Sequence, residues 1–247
     1  MNDNHYVGAY WLARQETAEA CAQRAEVFFR LLTDCDPSLS QWFKKSGSMK
    51  EALAHRVDTR SEALSKAFTQ QKARQPKDDF FLRLWNGGLH GGASSFTLFC
   101  GSASLRVANS CVVSLPEEGR AEERLSQAPV LARILRAMVL AWEPECGVAL
   151  SHEHLDKVSE SADVGTFIGW VTYLSHRRGP VPPLPSPVLV EPVEDKGTLI
   201  TLSPVRFTAS NPAHLEHARH VTALLSQAGL LGPLRPWDGV GPLGSLT

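Results

Sequence analysis

HYVGAYWLARQETAEACAQR, residues His5 to Arg24, predicts a strand that runs directly into an amphipathic helix. Residues 5–12 are rich in strand-forming side chains and alternate loosely, which favours a strand. From Glu16 onward, apolar residues recur at steps of three and four, which places them on one helical face. These residues are Ala18, Cys21, Ala22, Ala25, Phe28, Phe29 and Leu32. The helix is expected to end near Asp36, because Pro37 biases the residue before it away from helical backbone.

The rest of the chain mixes strand and helix patterns in the same way. Strands are predicted over residues 95–100, 110–115, 148–150 and 166–174, and a hairpin over 188–193 and 198–207 around the turn EDKG. Helical patterns cover residues 48–73, 131–142 and 212–228. There is no repeat at a fixed spacing and no interdomain linker. The sequence therefore predicts an α+β fold with a mainly antiparallel sheet, as a single domain over residues 1–232 with an irregular Gly/Pro-rich tail over 233–247.

Composition and charge argue against two classes of partner. The chain has 247 residues, of which 25 are Lys or Arg and 26 are Asp or Glu, and this balance argues against binding nucleic acid through the overall field of the protein. No apolar run reaches the roughly 18–20 residues that a membrane helix needs, and residues 1–11 do not resemble a signal peptide. The five cysteines are never spaced as C-x-x-C, which is typical of reduced thiols. We therefore expect a cytoplasmic protein with no direct contact to nucleic acid or membrane.

Motifs for catalysis are scarce in this sequence. It contains neither a GxxxxGK[ST] phosphate loop nor a GxSxG nucleophile elbow, and NGGLHGG at 86–92 is interpreted as a turn. The best metal-like cluster is His152-Glu153-His154, followed by Asp156. In an extended chain His152 and His154 would share one face and hold a metal with a third ligand from elsewhere. A metal-dependent hydrolase is therefore one hypothesis, and a polar loop after a short strand is the other interpretation of the cluster.

Several motifs taken together point to a known family. They are Tyr10-Trp11, Arg14, Glu16, CAQR at 21–24, Asp36-Pro37, Trp42 and GWVTYLS at 169–175. This combination resembles the immunity protein 52 family of bacterial polymorphic-toxin systems. The resemblance implies a cytoplasmic α+β protein without catalytic activity or cofactor, an antitoxin that binds and neutralises a cognate toxin. It also implies that the toxin is a nuclease of a restriction-endonuclease-like class, delivered by a secretion system such as type VI.

The resemblance assigns the motif residues to the scaffold and does not locate the partner-binding residues. Tyr10, Trp11, Trp42, Gly169, Trp170 and Tyr173 are expected to form the scaffold, and Arg14 and Glu16 a local ion pair or cap. A nuclease presents basic groups to phosphates, so an inhibitor that covers its active site would offer acidic groups. The candidates are Glu117, Glu118, Glu122, Glu123, Glu153, Asp156, Glu160, Glu191, Glu194 and Asp195. An inhibitor that acts away from the active site needs no acidic surface.

Overall fold

Eight strands form one antiparallel sheet in the computed structural model, which describes residues 4–44, 48–74, 79–89, 91–159 and 163–234. The strands are β1 (His5–Trp11), β2 (Phe80–Trp85), β3 (Ser95–Cys100), β4 (Asn109–Ser114), β5 (Cys146–Ser151), β6 (Val171–Ser175), β7 (Leu189–Val193) and β8 (Gly197–Thr201). Their order across the sheet is β2-β3-β4-β1-β5-β6-β8-β7. β1 lies inside the sheet, with Val7 opposite both Val113 and Ala149.

The described residues also form seven α-helices, so the predicted α+β class with a mainly antiparallel sheet is confirmed. They are α1 (Ala18–Thr33), α2 (Met49–Ala54), α3 (Ser61–Arg74), α4 (Gly119–Leu125), α5 (Ala128–Trp142), α6 (His152–Val158) and α7 (Pro212–Gln227). The pattern over 48–73 is two helices rather than one. The strand predicted over 166–174 begins only at Val171, and the second hairpin strand, predicted to reach residue 207, ends at Thr201.

One face of the sheet is covered by α1, α3 and α5. The seven apolar residues predicted for α1 are all buried. The rings of Phe28 and Phe29 lie 5.5 and 4.9 Å from Phe96 of β3, and Phe68 of α3 lies 5.2 Å from Phe80 of β2. α5 packs across β1, β5, β6 and β8. This layer holds the main apolar core.

Within the described residues, the opposite face carries a second apolar cluster at β5 that reaches Val112 of β4, whereas the outward side chains of β2 are exposed and those of β3 are partly exposed. At β5, Val148 and Leu150 pack against Phe167 and against partly buried residues of α6, beside which α7 lies. In β2, β3 and β4 burial alternates strictly along most of each strand, so every second side chain faces away from the core. We call these outward side chains the open face, and its central members are Phe81, Arg83, Thr97, Phe99, Ser110 and Val112.

Both edges of the sheet carry hydrogen bonds to some of their outer backbone groups. At the β2 edge, Phe43 exchanges backbone hydrogen bonds with Trp85, and Gln71 accepts from the backbone N–H of Phe81. At the β7 edge, Pro192 has no N–H, and its carbonyl accepts from Arg136. An exposed edge is a template for pairing with another strand, and these contacts obstruct it.

The C-terminal part of the chain returns to the body of the protein after α7. The backbone N–H groups of Gly232 and Leu234 donate to the carbonyls of Gly165 and Val164, each at 2.9 Å. Residues 235–247, most of the predicted tail, lie outside the described residues. The boundary at residue 232 therefore stays a prediction.

Candidate functional site

The acidic candidates of the first group lie at the start of α4. Glu117 accepts a hydrogen bond from the side-chain amide of Asn4 at 2.9 Å. Glu122 is buried and forms an ion pair with Arg206 at 2.7 Å, which ties α4 to the segment after β8. Glu118 and Glu123 are exposed. In this group Glu117 and Glu122 therefore already have internal partners.

The second group lies on α6. Glu153 forms an ion pair with Lys157 at 2.6 Å, one helical turn later. The same ammonium group donates to the carbonyl of Ala209 at 2.9 Å and so connects α6 to the segment before α7. Asp156 is exposed on this helix. Glu160 lies outside the described residues.

The third group lies on the β7–β8 hairpin at one edge of the sheet. Glu191 is exposed on β7, and Glu194 and Asp195 occupy the turn, where Glu194 has a positive φ of 48°. The turn is fixed at Lys196, whose ammonium group contacts Glu143 at 2.9 Å and whose carbonyl accepts from the Tyr173 hydroxyl at 2.8 Å. Within the described chain, seven candidates form no ion pair: Glu117, Glu118, Glu123, Asp156, Glu191, Glu194 and Asp195.

The metal-like cluster does not have the geometry that an extended chain would give it. Residues 152–158 form α6, because the Ser151 hydroxyl caps the helix by accepting from His154 N–H at 3.2 Å. In a helix, residues two apart point in nearly opposite directions. The His152 ring packs on Tyr6 at 5.1 Å, whereas His154 is buried, with Nε2 3.2 Å from the Ile168 carbonyl. The described residues contain no group of three or more His, Cys, Asp or Glu side chains placed to hold a metal ion.

Burial lowers the pKa of His154 from its ordinary 6.5 to about 4. The unfolded chain therefore takes up this proton near pH 6.5, whereas the folded chain does so only near pH 4, and stability falls as the pH falls between these values. We expect a loss of about 2 kcal/mol in the free energy of unfolding from this residue when the pH is lowered from about 7.5 to about 5. Urea unfolding at the two pH values measures it.

His154→Gln should remove this part of the pH dependence, because the amide keeps a donor for Ile168 without titrating. The exposed His176 provides the matched control, and His176→Gln should keep the wild-type dependence. If the stability of His154→Gln depends on pH as that of the wild type does, His154 is not the source of the pH dependence.

The polar residues of the family motif form a cap at the end of α5. The carboxylate of Glu16 contacts Arg14 Nε at 3.1 Å and Arg24 Nε at 2.7 Å. The two guanidinium groups also donate to the carbonyls of Trp142 and Ala141 at 2.8 and 3.0 Å. Carbonyls at a helix C-terminus lack intrahelical donors, and cations there are favourable. The predicted ion pair is present, but its role in capping α5 had no signal in the sequence.

The aromatic residues of the motif lie in or beside the core. Trp11, Trp42, Trp170 and Tyr173 are all buried. Trp11 stacks on Trp142 with ring centroids 5.2 Å apart, and Trp170 Nε1 donates to the Ser203 carbonyl at 2.8 Å. Their packing is compatible with the scaffold role predicted for them.

Tyr10 and Gly169 complete the predicted scaffold set. Tyr10 is partly buried and packs beside Val148 on the side of the sheet opposite α5. At Gly169 a Cβ atom would come within 2.5 Å of the Ala149 carbonyl oxygen, so only glycine fits without displacing backbone.

A comparison with protein families adds direct information on identity. The model of the family described as Immunity protein 52 matches residues 3–234. The chain belongs to the immunity protein 52 family. The predicted resemblance is thus confirmed. Members of an immunity family are defined by protection against a toxin, so the partner class of this chain is a cognate toxin.

Two further comparisons concern fold and sequence. The structure is similar to that of the Pseudomonas aeruginosa T6SS protein PA0821, with a TM-score of 0.53 and 16% identity, over 97% of this chain and 77% of that chain. At this identity the likeness shows a shared fold. No curated protein sequence matches the chain. Among the described residues, no helix is both long and apolar enough to span a bilayer.

Proposed function

We propose that this immunity protein 52 member is a non-catalytic, cytoplasmic inhibitor that binds and neutralises one cognate toxin, and that the toxin is a nuclease of a restriction-endonuclease-like class. The family match over residues 3–234 carries the proposal. The fold shared with a T6SS protein supports delivery of the toxin by a type VI secretion system. In such a system the inhibitor protects the producing cell and its kin.

Two modes of inhibition follow from the chemistry of a nuclease. An inhibitor that covers the phosphate-binding cleft opposes its basic groups with carboxylates. Glu118, Glu123, Glu191, Glu194 and Asp195 are exposed and free for that role, whereas Glu122 is engaged with Arg206. An inhibitor that binds outside the cleft holds the toxin in an inactive conformation or assembly, and its surface is not constrained to be acidic.

Co-expression with the neighbouring toxin gene tests the proposal. We expect the toxin alone to stop growth and to degrade nucleic acid in the host, and the two together to restore growth and to co-purify in equal amounts. Growth arrest in the presence of folded inhibitor, with no co-purification, would contradict the immunity function. A toxin that stops growth while host DNA and RNA stay intact would contradict only the nuclease class.

A further inference from the structure

The open face has an unusual composition for a solvent-facing half of a sheet. Phe81, which is 45% exposed, lies directly across from Phe99 on the neighbouring strand. Arg83 is in register with Thr97, which is in register with Val112. The solvent side of an antiparallel sheet is normally polar and carries charges of both signs. Here aromatic, β-branched and hydroxyl side chains surround one arginine.

Charge distinguishes this region from the rest of the protein. Residues 80–115, which contain β2, β3, β4 and their connections, include Arg83 and Arg106 but no Asp or Glu, although the whole chain has 26 acidic residues. Arg83 and Arg106 form no ion pair with the part of the chain that the structure describes. A surface with apolar groups and uncompensated cations is complementary to one with apolar groups and carboxylates.

The connection between β3 and β4, residues 101–108, also exposes apolar side chains. Leu105 is 80% exposed and Val107 is 50% exposed in this connection. A standard protein–protein interface covers about 800 Å² on each partner, and large exposed apolar patches mark such sites. The exposed apolar side chains of the open face and of this connection are of the kind that such interfaces cover.

The sheet edges favour docking on the face over addition of a strand. A partner strand needs free N–H and C=O groups along an edge. Phe43 and Gln71 occupy such groups at β2, and Pro192 with Arg136 does so at β7. A toxin is therefore more readily bound by the side chains of the open face than by backbone pairing at a sheet edge.

We propose that the open face and residues 101–108 bind the cognate toxin, at a region of the toxin that presents apolar groups and carboxylates. This inference rests on the proposed function and specifies its surface. Because the phosphate-binding cleft of a nuclease is basic, the contacted region lies outside that cleft. Face-to-face pairing of two copies of this chain is disfavoured, since it brings the arginines of both copies into an interface without carboxylates.

Toxin binding by surface variants tests this proposal. The probe is the product of the neighbouring toxin gene, inactivated by substitution, and binding to the full chain is measured by calorimetry. We expect Arg83→Glu and Phe81→Ala each to weaken binding at least tenfold. Arg30→Glu, an equal charge reversal on the exposed side of α1, and Val205→Ala, at a side chain 65% exposed, are matched controls that should bind as wild type does.

The outcomes separate failure of the surface from failure of the function. Wild-type protein that binds no toxin contradicts the proposed function itself. If Arg83→Glu and Phe81→Ala both bind toxin as wild type does, the open face is not the binding surface. If the double variant Glu194→Lys/Asp195→Lys then loses binding, the acidic hairpin covers the phosphate-binding cleft of the toxin instead. A wild-type dimer in solution that Phe81→Ala dissociates assigns the face to a second copy and also overturns the proposal. If the two variants unfold at the same denaturant concentration as wild type, their loss of binding is due to the changed surface and not to misfolding.

Discussion

Trp11→Ala is expected to lower the free energy of unfolding by about 3–5 kcal/mol, the range for deleting a buried large aromatic side chain. Trp11 is 2% exposed and stacks nearly parallel on the fully buried Trp142 of α5. The Arg14 guanidinium lies 5.2 Å from the centroid of the Trp11 ring. The substitution leaves a cavity between β1 and α5 and removes both contacts. Chemical unfolding of the purified variant measures the loss.

The adjacent Leu12 is the matched control for this substitution. Its side chain is 40% exposed, so Leu12→Ala should change stability by about 1 kcal/mol or less. Toxin binding by Trp11→Ala should weaken only as far as the variant unfolds. A Trp11→Ala variant that is as stable as wild type but no longer binds toxin would show that Trp11 is a contact residue and that the scaffold interpretation is wrong.

Glu16→Ala is expected to lower the free energy of unfolding by about 2–3 kcal/mol. This loss is below the roughly 3–5 kcal/mol for breaking a fully buried ion pair, because the two arginine partners are partly solvated. The Glu16 side chain is 10% exposed and bridges Arg14 and Arg24, which are 27% and 29% exposed. Without it, two like charges stay close together at the end of α5 with no carboxylate between them. Chemical unfolding in low and high salt measures the loss, which salt should reduce because it screens the repulsion.

Glu153→Ala provides the comparison for an ordinary helix-surface pair. Its ion pair with Lys157 has a lysine side chain that is 40% exposed, and such pairs contribute about 0.5 kcal/mol or less. If Glu16→Ala were no more destabilising than Glu153→Ala, the cap on α5 would not be a significant source of stability.

Local patterns predicted those elements whose apolar periodicity or capping residues are unambiguous. The pattern after Glu16 predicts the buried face of α1, and the pattern from residue 212 predicts the start of α7. The sequence offers Asn211 and Ser210 as caps for α7, and Asn211 caps it. α6 was missed because seven polar-rich residues carry too little periodicity to distinguish a helix from a loop. Its cap is Ser151, and the segment after it is interpreted from the sequence alone as a polar loop that follows a short strand.

The candidate site was harder to predict, because its contacts join residues far apart in the chain. The partner of Glu122 is Arg206, 84 positions later, and the carbonyl that Arg14 caps lies 128 positions away. Neither distance leaves a periodic signal in a single sequence. The open face illustrates a different limit, since alternation predicts that a strand has two faces but not which strands lack a covering layer.

The obstructed edges of the sheet affect the concentration at which this protein can accumulate in a cell without aggregating. An inhibitor of the kind proposed above protects only while its copies outnumber the toxin, so a reserve must exist before any toxin arrives. Concentrated β-sheet proteins with bare edges tend to polymerise strand to strand. The contacts of Phe43, Gln71, Pro192 and Arg136 hinder that growth at both ends of the sheet. They thereby permit a large standing pool of inhibitor that stays dispersed until its target appears.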